Sequence, residues 1–308
     1  MTHQELREEI LRLKKEKNAL IMAHYYQRDE IQEIADFIGD SLALARQAAK
    51  TDADIIVMCG VHFMGETAKI LCPGKKVLVP DMAAGCSLAD SCDADDFRRF
   101  VEAHPGYTVI SYVNTSAAVK ALTDIVVTSG NARKIVESLP ADEKIIFGPD
   151  KNLGGYINSV ASRDMLLWQG ACHVHDRFSI DKIMDLKKEH PEAKILVHPE
   201  CRRPLQLIAD KVGSTAALLE FAEKDEAPEY IVVTESGILF EMRRKCSSKR
   251  FIPAPAEDSE CQCNECDYMK LNTLEKVYAA LRDEAPEIHV DPEVAAKAIR
   301  PIERMLEL

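Results

Sequence analysis

The chain has 308 residues, 39 Lys and Arg against 51 Asp and Glu, and a net charge of −12 with histidine neutral. Hydrophobic residues make up 46% and charged residues 29%, a globular balance that excludes a disordered chain. The acid excess and the lack of any apolar run near ~20 residues argue against nucleic acid and membrane as partners.

Residues 1–26 read as a charged amphipathic helix running into a strand. They show no apolar signal core and no small-residue cleavage site, so a cytoplasmic location is expected. In a reducing compartment ten cysteines do not read as five disulfides, and some are expected to be metal ligands or reactive thiols.

The strands then recur. Residues 19–26 (ALIMAHYY) are followed by DIIVMCG from Asp54 and KKVLVPD ending at Asp81. Residues 107–114 (YTVISYVN) are followed by DIVVTSG from Asp124 and EKIIFGPD ending at Asp150. Residues 193–200 (AKILVHPE) are followed by YIVVTES from Tyr230 and SKRFIPA ending at Ala254. The first strands of the three sets lie 88 and 86 residues apart, taken at positions 24, 112 and 198. Helical stretches separate continuous apolar strands, which predicts α/β units with parallel sheets covered on both faces, as three-layer αβα sandwiches. The units are placed at 1–90, 91–172 and 173–269, and two helical segments in 270–308 pack back on the body.

Ligands of open parallel sheets sit at the carboxyl ends of the strands. There the first strands carry His24 and Tyr26, Tyr112 and Asn114, and His198 and Glu200. Residues i and i+2 of a strand share a face, so each unit presents a polar pair. Small polar residues open the following helices: Asp40-Ser41, Thr115-Ser116 and Gly213-Ser214-Thr215, with Ser129-Gly130 after the second strand of the middle unit. They read as N-caps or as anion-binding helix starts. No GxGxxG or GxxxxGK[ST] occurs, so no nucleotide site is expected.

Cys86, Cys172 and the group Cys261, Cys263 and Cys266 follow the last strand of each unit. Three thiolates from three loops can hold one metal centre, and the scattered spacing matches neither a zinc ribbon nor a ferredoxin run. Cys59, Cys72, Cys92, Cys201 and Cys246 read as structural. His173 and His175 beside Cys172 read as loop support or, alternatively, as ligands with Cys172 of a mononuclear zinc centre of a lyase or hydrolase. A redox sensor built on CQCNEC is the non-enzyme alternative.

The motifs AHYYQ, GDSLALA, AGCSLAD, SYVNTSA, GACHVH, HPEC, VGST and CDYMKLNTLEK, in this order, resemble the quinolinate synthase family. The resemblance implies three αβα sandwiches about a pseudo-threefold axis with the active site at the centre. It implies condensation of iminoaspartate with dihydroxyacetone phosphate to quinolinate, in de novo NAD biosynthesis, with iminoaspartate supplied by L-aspartate oxidase or aspartate dehydrogenase. It implies a [4Fe–4S] cluster on Cys86, Cys172 and Cys266 with one open iron acting as a Lewis acid, Cys266 being the cysteine nearest the MKLNTL stretch. The substrate positions it implies are His24, Ser41, Tyr112, Val113, Asn114, Ser129, His198, Pro199, Glu200 and Thr215. The catalytic set is Tyr26 as a hydrogen-bond donor, Glu200 as base and His198 beside it.

Overall fold

The computed structural model describes residues 1–257 and 264–307. They contain three four-stranded sheets in which every pair is parallel. The first holds β1 (Ala19–His24), β2 (Phe37–Gly39), β3 (Ile55–Cys59) and β4 (Lys76–Leu78), in the order β2-β1-β3-β4. The second holds β5 (Thr108–Tyr112), β6 (Ile125–Val127), β7 (Ile145–Gly148) and β8 (Leu166–Leu167), in the order β6-β5-β7-β8. The third holds β9 (Lys194–Val197), β10 (Lys211–Val212), β11 (Glu229–Val233) and β12 (Arg250–Pro253), in the order β10-β9-β11-β12. One strand order thus occurs three times.

The central strands are buried on both faces, as in Ile55–Cys59, and so require helices on each side. An amphipathic helix precedes each first strand: His3–Glu16, Ala94–Glu102 and Ile180–Glu189. Their side-chain caps are Thr2, Asp93 and Ser179, the residue types that best fill free N–H groups at a helix start.

A second device also recurs. Asp36, Asp124 and Asp210 stand just before β2, β6 and β10. Their carboxylates accept the N–H groups of Ile21, Val109 and Ile195 at 2.9, 2.8 and 2.7 Å. Their own N–H groups donate back to the carbonyls of the same three residues, each at 2.9 Å. Each aspartate thereby pins the edge strand to the first strand.

This pattern corrects two sequence expectations. The sheets have four strands, because the short β2, β8 and β10 escaped the apolar pattern. DIVVTSG is the edge strand β6, equivalent to β2 and β10, whereas DIIVMCG and YIVVTES are the central β3 and β11. The central partner in the second sheet is EKIIFGPD, as β7. Ser129 is therefore the counterpart of Ser41 and Thr215, and Thr115-Ser116 opens a different helix, Ala117–Lys120.

Helix Leu274–Asp283 packs on helix His3–Glu16 and on β3. Helix Pro292–Glu307 lies along β6 and helix Ala117–Lys120, and against helices Ser41–Lys50 and His62–Leu71, so it joins the first two sheets. Among the described residues no helix is long and apolar enough to cross a membrane.

Candidate active site

The carboxyl ends of the first strands open on one cavity. Three sets of equivalent residues line it. His24, Tyr112 and His198 form one, Tyr26, Asn114 and Glu200 the next, and Ser41, Ser129 and Thr215 the third. Cys86, Cys172 and Cys266 line it as well, each on a loop after the last strand of a sheet. Val113 and Pro199 do not. Val113 is buried in the apolar core, where its N–H is taken by Val127 O. Pro199 is buried beside the cavity with its carbonyl bonded to Gln206. Cys261 and Cys263 lie outside the described residues.

Glu200 is the most heavily bonded of these groups. Tyr112 Oη donates to its Oε1 at 2.5 Å, and His175 Nδ1 lies 3.0 Å from its Oε2. Burial works against ionisation of Glu200. The hydrogen bonds from His175 and Tyr112, with the imidazoles beside it, outweigh it and hold the carboxyl below the usual carboxylate range. His198 Nδ1 is farther from Glu200 Oε1, at 3.8 Å, so His175 is the nearer imidazole.

A chain of hydrogen bonds runs from Glu200 to Tyr26. His175 Nδ1 lies 3.0 Å from Glu200 Oε2 and 3.3 Å from Cys172 Sγ, and His175 Nε2 shares a hydrogen bond with Thr234 Oγ1 at 2.8 Å. Thr234 Oγ1 also shares a hydrogen bond with Tyr26 Oη at 2.7 Å, and Tyr26 Oη shares another with Thr215 Oγ1 at 2.8 Å. Gly237 lies behind this tyrosine. A Cβ there would come within 2.8 Å of Tyr26 Cα, so a side chain would push the tyrosine out of line.

His24 and His198 share a tautomer. The N–H of Tyr26 donates to His24 Nδ1 at 3.2 Å and the N–H of Glu200 to His198 Nδ1 at 3.4 Å. Both rings therefore carry their proton on Nε2. Burial lowers both imidazoles to about 3, against the pull of Glu200. They are neutral N–H donors at the cavity.

Burial pushes Cys86 up to about 12 and Cys266 up to about 11, and raises Cys172 well above the usual thiol range. Among the described residues no Lys or Arg lines the cavity to pair with a thiolate. Ionising three such thiols calls for a metal, which displaces the protons. The Oδ1 of Asn114 is buried with no hydrogen-bond partner among the described residues. Three soft donors from separate loops around a cavity fit a metal–sulfur group. Separately, Cys172 Sγ, a His175 ring nitrogen and a Glu200 oxygen lie within 4.8 Å of one another and could hold one metal ion. The eight described cysteines are free thiols. Cys59, Cys72, Cys92, Cys201 and Cys246 are buried and line no part of the cavity.

Sequence reasoning did not single out Thr234, Glu235 or Lys270, and left His175 as loop support or a zinc ligand. Glu235 is fully buried. It pairs with Lys270 at 2.9 Å and accepts the Cys266 N–H at 3.1 Å, and Lys270 Nζ also donates to Tyr26 O at 2.8 Å. The signal available was TES in YIVVTES: consecutive polar residues directly after an apolar central strand.

The sequence profile of the family described as Quinolinate synthetase A protein matches residues 8–307. The chain is 54% identical over 304 residues to the quinolinate synthase of Chloroherpeton thalassium, covering 99% of this chain and 94% of that protein. It is 56% identical over 299 residues to the quinolinate synthase of Microcystis aeruginosa, covering 97% and 93%. It is 54% identical over 296 residues to that of Synechocystis sp., covering 96% and 93%.

Proposed function

The chain belongs to the quinolinate synthetase A protein family, and on that premise we propose that it is a quinolinate synthase acting in the cytoplasm. It condenses iminoaspartate with dihydroxyacetone phosphate to give quinolinate, phosphate and water. L-aspartate oxidase or aspartate dehydrogenase supplies the iminoaspartate. The three units, 1–90, 91–172 and 173–269, surround a pseudo-threefold axis with the active site at the centre. The observation that carries this reading is that one cavity collects equivalent polar residues from all three repeats together with one cysteine from each.

Cys86, Cys172 and Cys266 would hold a [4Fe–4S] cluster. When bound, that cluster supplies a Lewis-acidic iron for dehydration. The side chains do the rest. The substrates bring carboxylates and a phosphate into a cavity that, among the described residues, no Lys or Arg lines. Neutral donors must hold them: the Ser41, Ser129 and Thr215 hydroxyls, the Nε2–H of His24 and His198, and Asn114. Helices Ser41–Lys50 and Thr215–Lys224 also begin at the cavity, capped by Asp40 and Ser214. Glu200 is the base that takes carbon-bound protons, and the Tyr26 hydroxyl donates to a developing oxyanion. His175 and Thr234 connect the two. Burial of these groups keeps water from iminoaspartate, which hydrolyses readily.

The test is anaerobic purification followed by assay. About four irons per chain, broad absorption near ~400 nm and quinolinate formation from the two substrates support the reading. The convergence of Cys172, His175 and Glu200 favours a second reading, a mononuclear zinc lyase or hydrolase. A colourless protein holding one zinc, inactive on these substrates, would establish that one instead.

A further inference from the structure

The three repeats fasten their cysteine loops in different ways. Pairing register makes Cys59, Gly148 and Val233 equivalent, since they face Ala23, Ser111 and Val197, the residues before His24, Tyr112 and His198. Two residues farther on stand Val61, Asp150 and Glu235. Asp150 and Glu235 are both 0% exposed, and each divides its carboxylate in the same way. One oxygen takes an N–H at the start of the next helix, from Leu153 or Gly237, both at 2.7 Å. The other takes the N–H of the cavity cysteine itself, Cys172 at 3.3 Å or Cys266 at 3.1 Å. In the first repeat Val61 has no oxygen to offer, and a backbone bond replaces it, from His62 N to Ala84 O at 2.7 Å.

We infer that Asp150 and Glu235 are the positioning residues of Cys172 and Cys266, fixing both loops in ligating form before a cluster is assembled. The inference rests on the iron–sulfur reading above. A buried carboxylate is costly unless its lone pairs are filled. Here part of that requirement is met by the cysteine loop, with Lys270 sharing Oε1 at Glu235, so the loop conformation and the buried acid stabilise each other. The Cys172 loop is further confined at Gly170, where a Cβ would lie 2.7 Å from Pro149 O. Groups that orient ligands from behind set metal retention, and their loss costs ~10–100-fold in affinity.

The experiment uses the full chain, reconstituted anaerobically with iron and sulfide, as wild type, Asp150→Ala, Glu235→Ala and Ser179→Ala. Ser179 caps helix Ile180–Glu189 and does not line the cavity, so it measures the effect of losing a helix cap alone. The readouts are thermal melting of the metal-free chain, iron per chain, and the rate at which a ferrous chelator strips the iron. Asp150→Ala and Glu235→Ala should melt cooperatively and lose iron ~10-fold faster or more, with Ser179→Ala like wild type. If either alanine chain fails to fold, Asp150→Asn or Glu235→Gln takes its place. Each amide leaves one acceptor oxygen for two N–H groups, so faster stripping is again expected. Stripping rates equal to wild type, or no faster than Ser179→Ala, overturn the inference. A wild-type chain that takes up no iron–sulfur cluster overturns the underlying reading instead.

Discussion

The Tyr112 hydroxyl donates to Glu200 Oε1 at 2.5 Å, so the second repeat holds the carboxylate that the third repeat carries. The two come from consecutive rows of the cavity, Tyr112 from the row of His24 and Glu200 from the row of Tyr26. With His175 Nδ1 3.0 Å from the other oxygen, each carboxylate oxygen of Glu200 has one such neighbour and keeps a lone pair for a substrate proton. Glu200→Gln keeps the size and removes the base, and turnover should fall ~10²–10⁴-fold with iron content unchanged. Tyr112→Phe removes a donor that favours the anion. The carboxyl then becomes a weaker acid, and the acidic limb of the kcat profile should move to higher pH. A profile that does not move would separate Glu200 from that limb.

Tyr26 and Tyr25 are adjacent, and of the two it is Tyr26 that lines the cavity. Tyr26 Oη bonds to two threonines at the cavity, whereas Tyr25 is buried in the apolar cluster beside the third sheet. Tyr26→Phe removes one hydroxyl and leaves the ring, and turnover should drop ~10²-fold or more. Tyr25→Phe should be nearly silent. Thr234→Val breaks the chain to His175 on both sides and should lower turnover while leaving iron content intact. Equal effects of the two tyrosine changes would show that the hydroxyl at the cavity has no special role.

Sheets and site were legible to different depths. The first strands announced themselves because a continuous apolar run ending in a polar pair recurs at fixed spacing. The edge strands did not, since two- and three-residue strands such as Lys211–Val212 and Phe37–Gly39 are too short to show a period. The second repeat was misaligned because DIVVTSG and DIIVMCG carry the same apolar signature, and only the Asp36, Asp124 and Asp210 clip tells them apart. The cavity residues on strand ends and helix starts could be read locally. His175, Asp150 and Glu235 could not, because their roles arise from contacts made across long sequence separations, as in His175 to Thr234 and Cys266 to Glu235.

Cys86→Ala, Cys172→Ala and Cys266→Ala should each lose most of the iron and all activity, since two remaining thiols leave the metal poorly anchored. Cys261 and Cys263 lie outside the described residues, and changing both to Ser should leave iron content at the wild-type level under anaerobic conditions. Full iron in the Cys266 variant, or none in the double variant, would move the third ligand into that pair.

The last prediction concerns pH and His24. Its ordinary value is 6.5, and burial lowers it to about 3 in the folded chain. Below pH 6.5 the unfolded chain binds a proton at this ring that the folded chain refuses until about pH 3. The stability owed to the neutral ring is therefore fully present above 6.5 and drains away as pH falls from 6.5 towards 3. His24→Asn keeps an acceptor for the Tyr26 N–H, now the amide oxygen in place of Nδ1, and removes the titration. Urea unfolding of the metal-free chain across this window should show a shallower loss of midpoint with falling pH in the variant, and the same slope as wild type above pH 7. Parallel curves throughout would mean that folding leaves the proton affinity of His24 unchanged, and would overturn the lowering of this ring by burial.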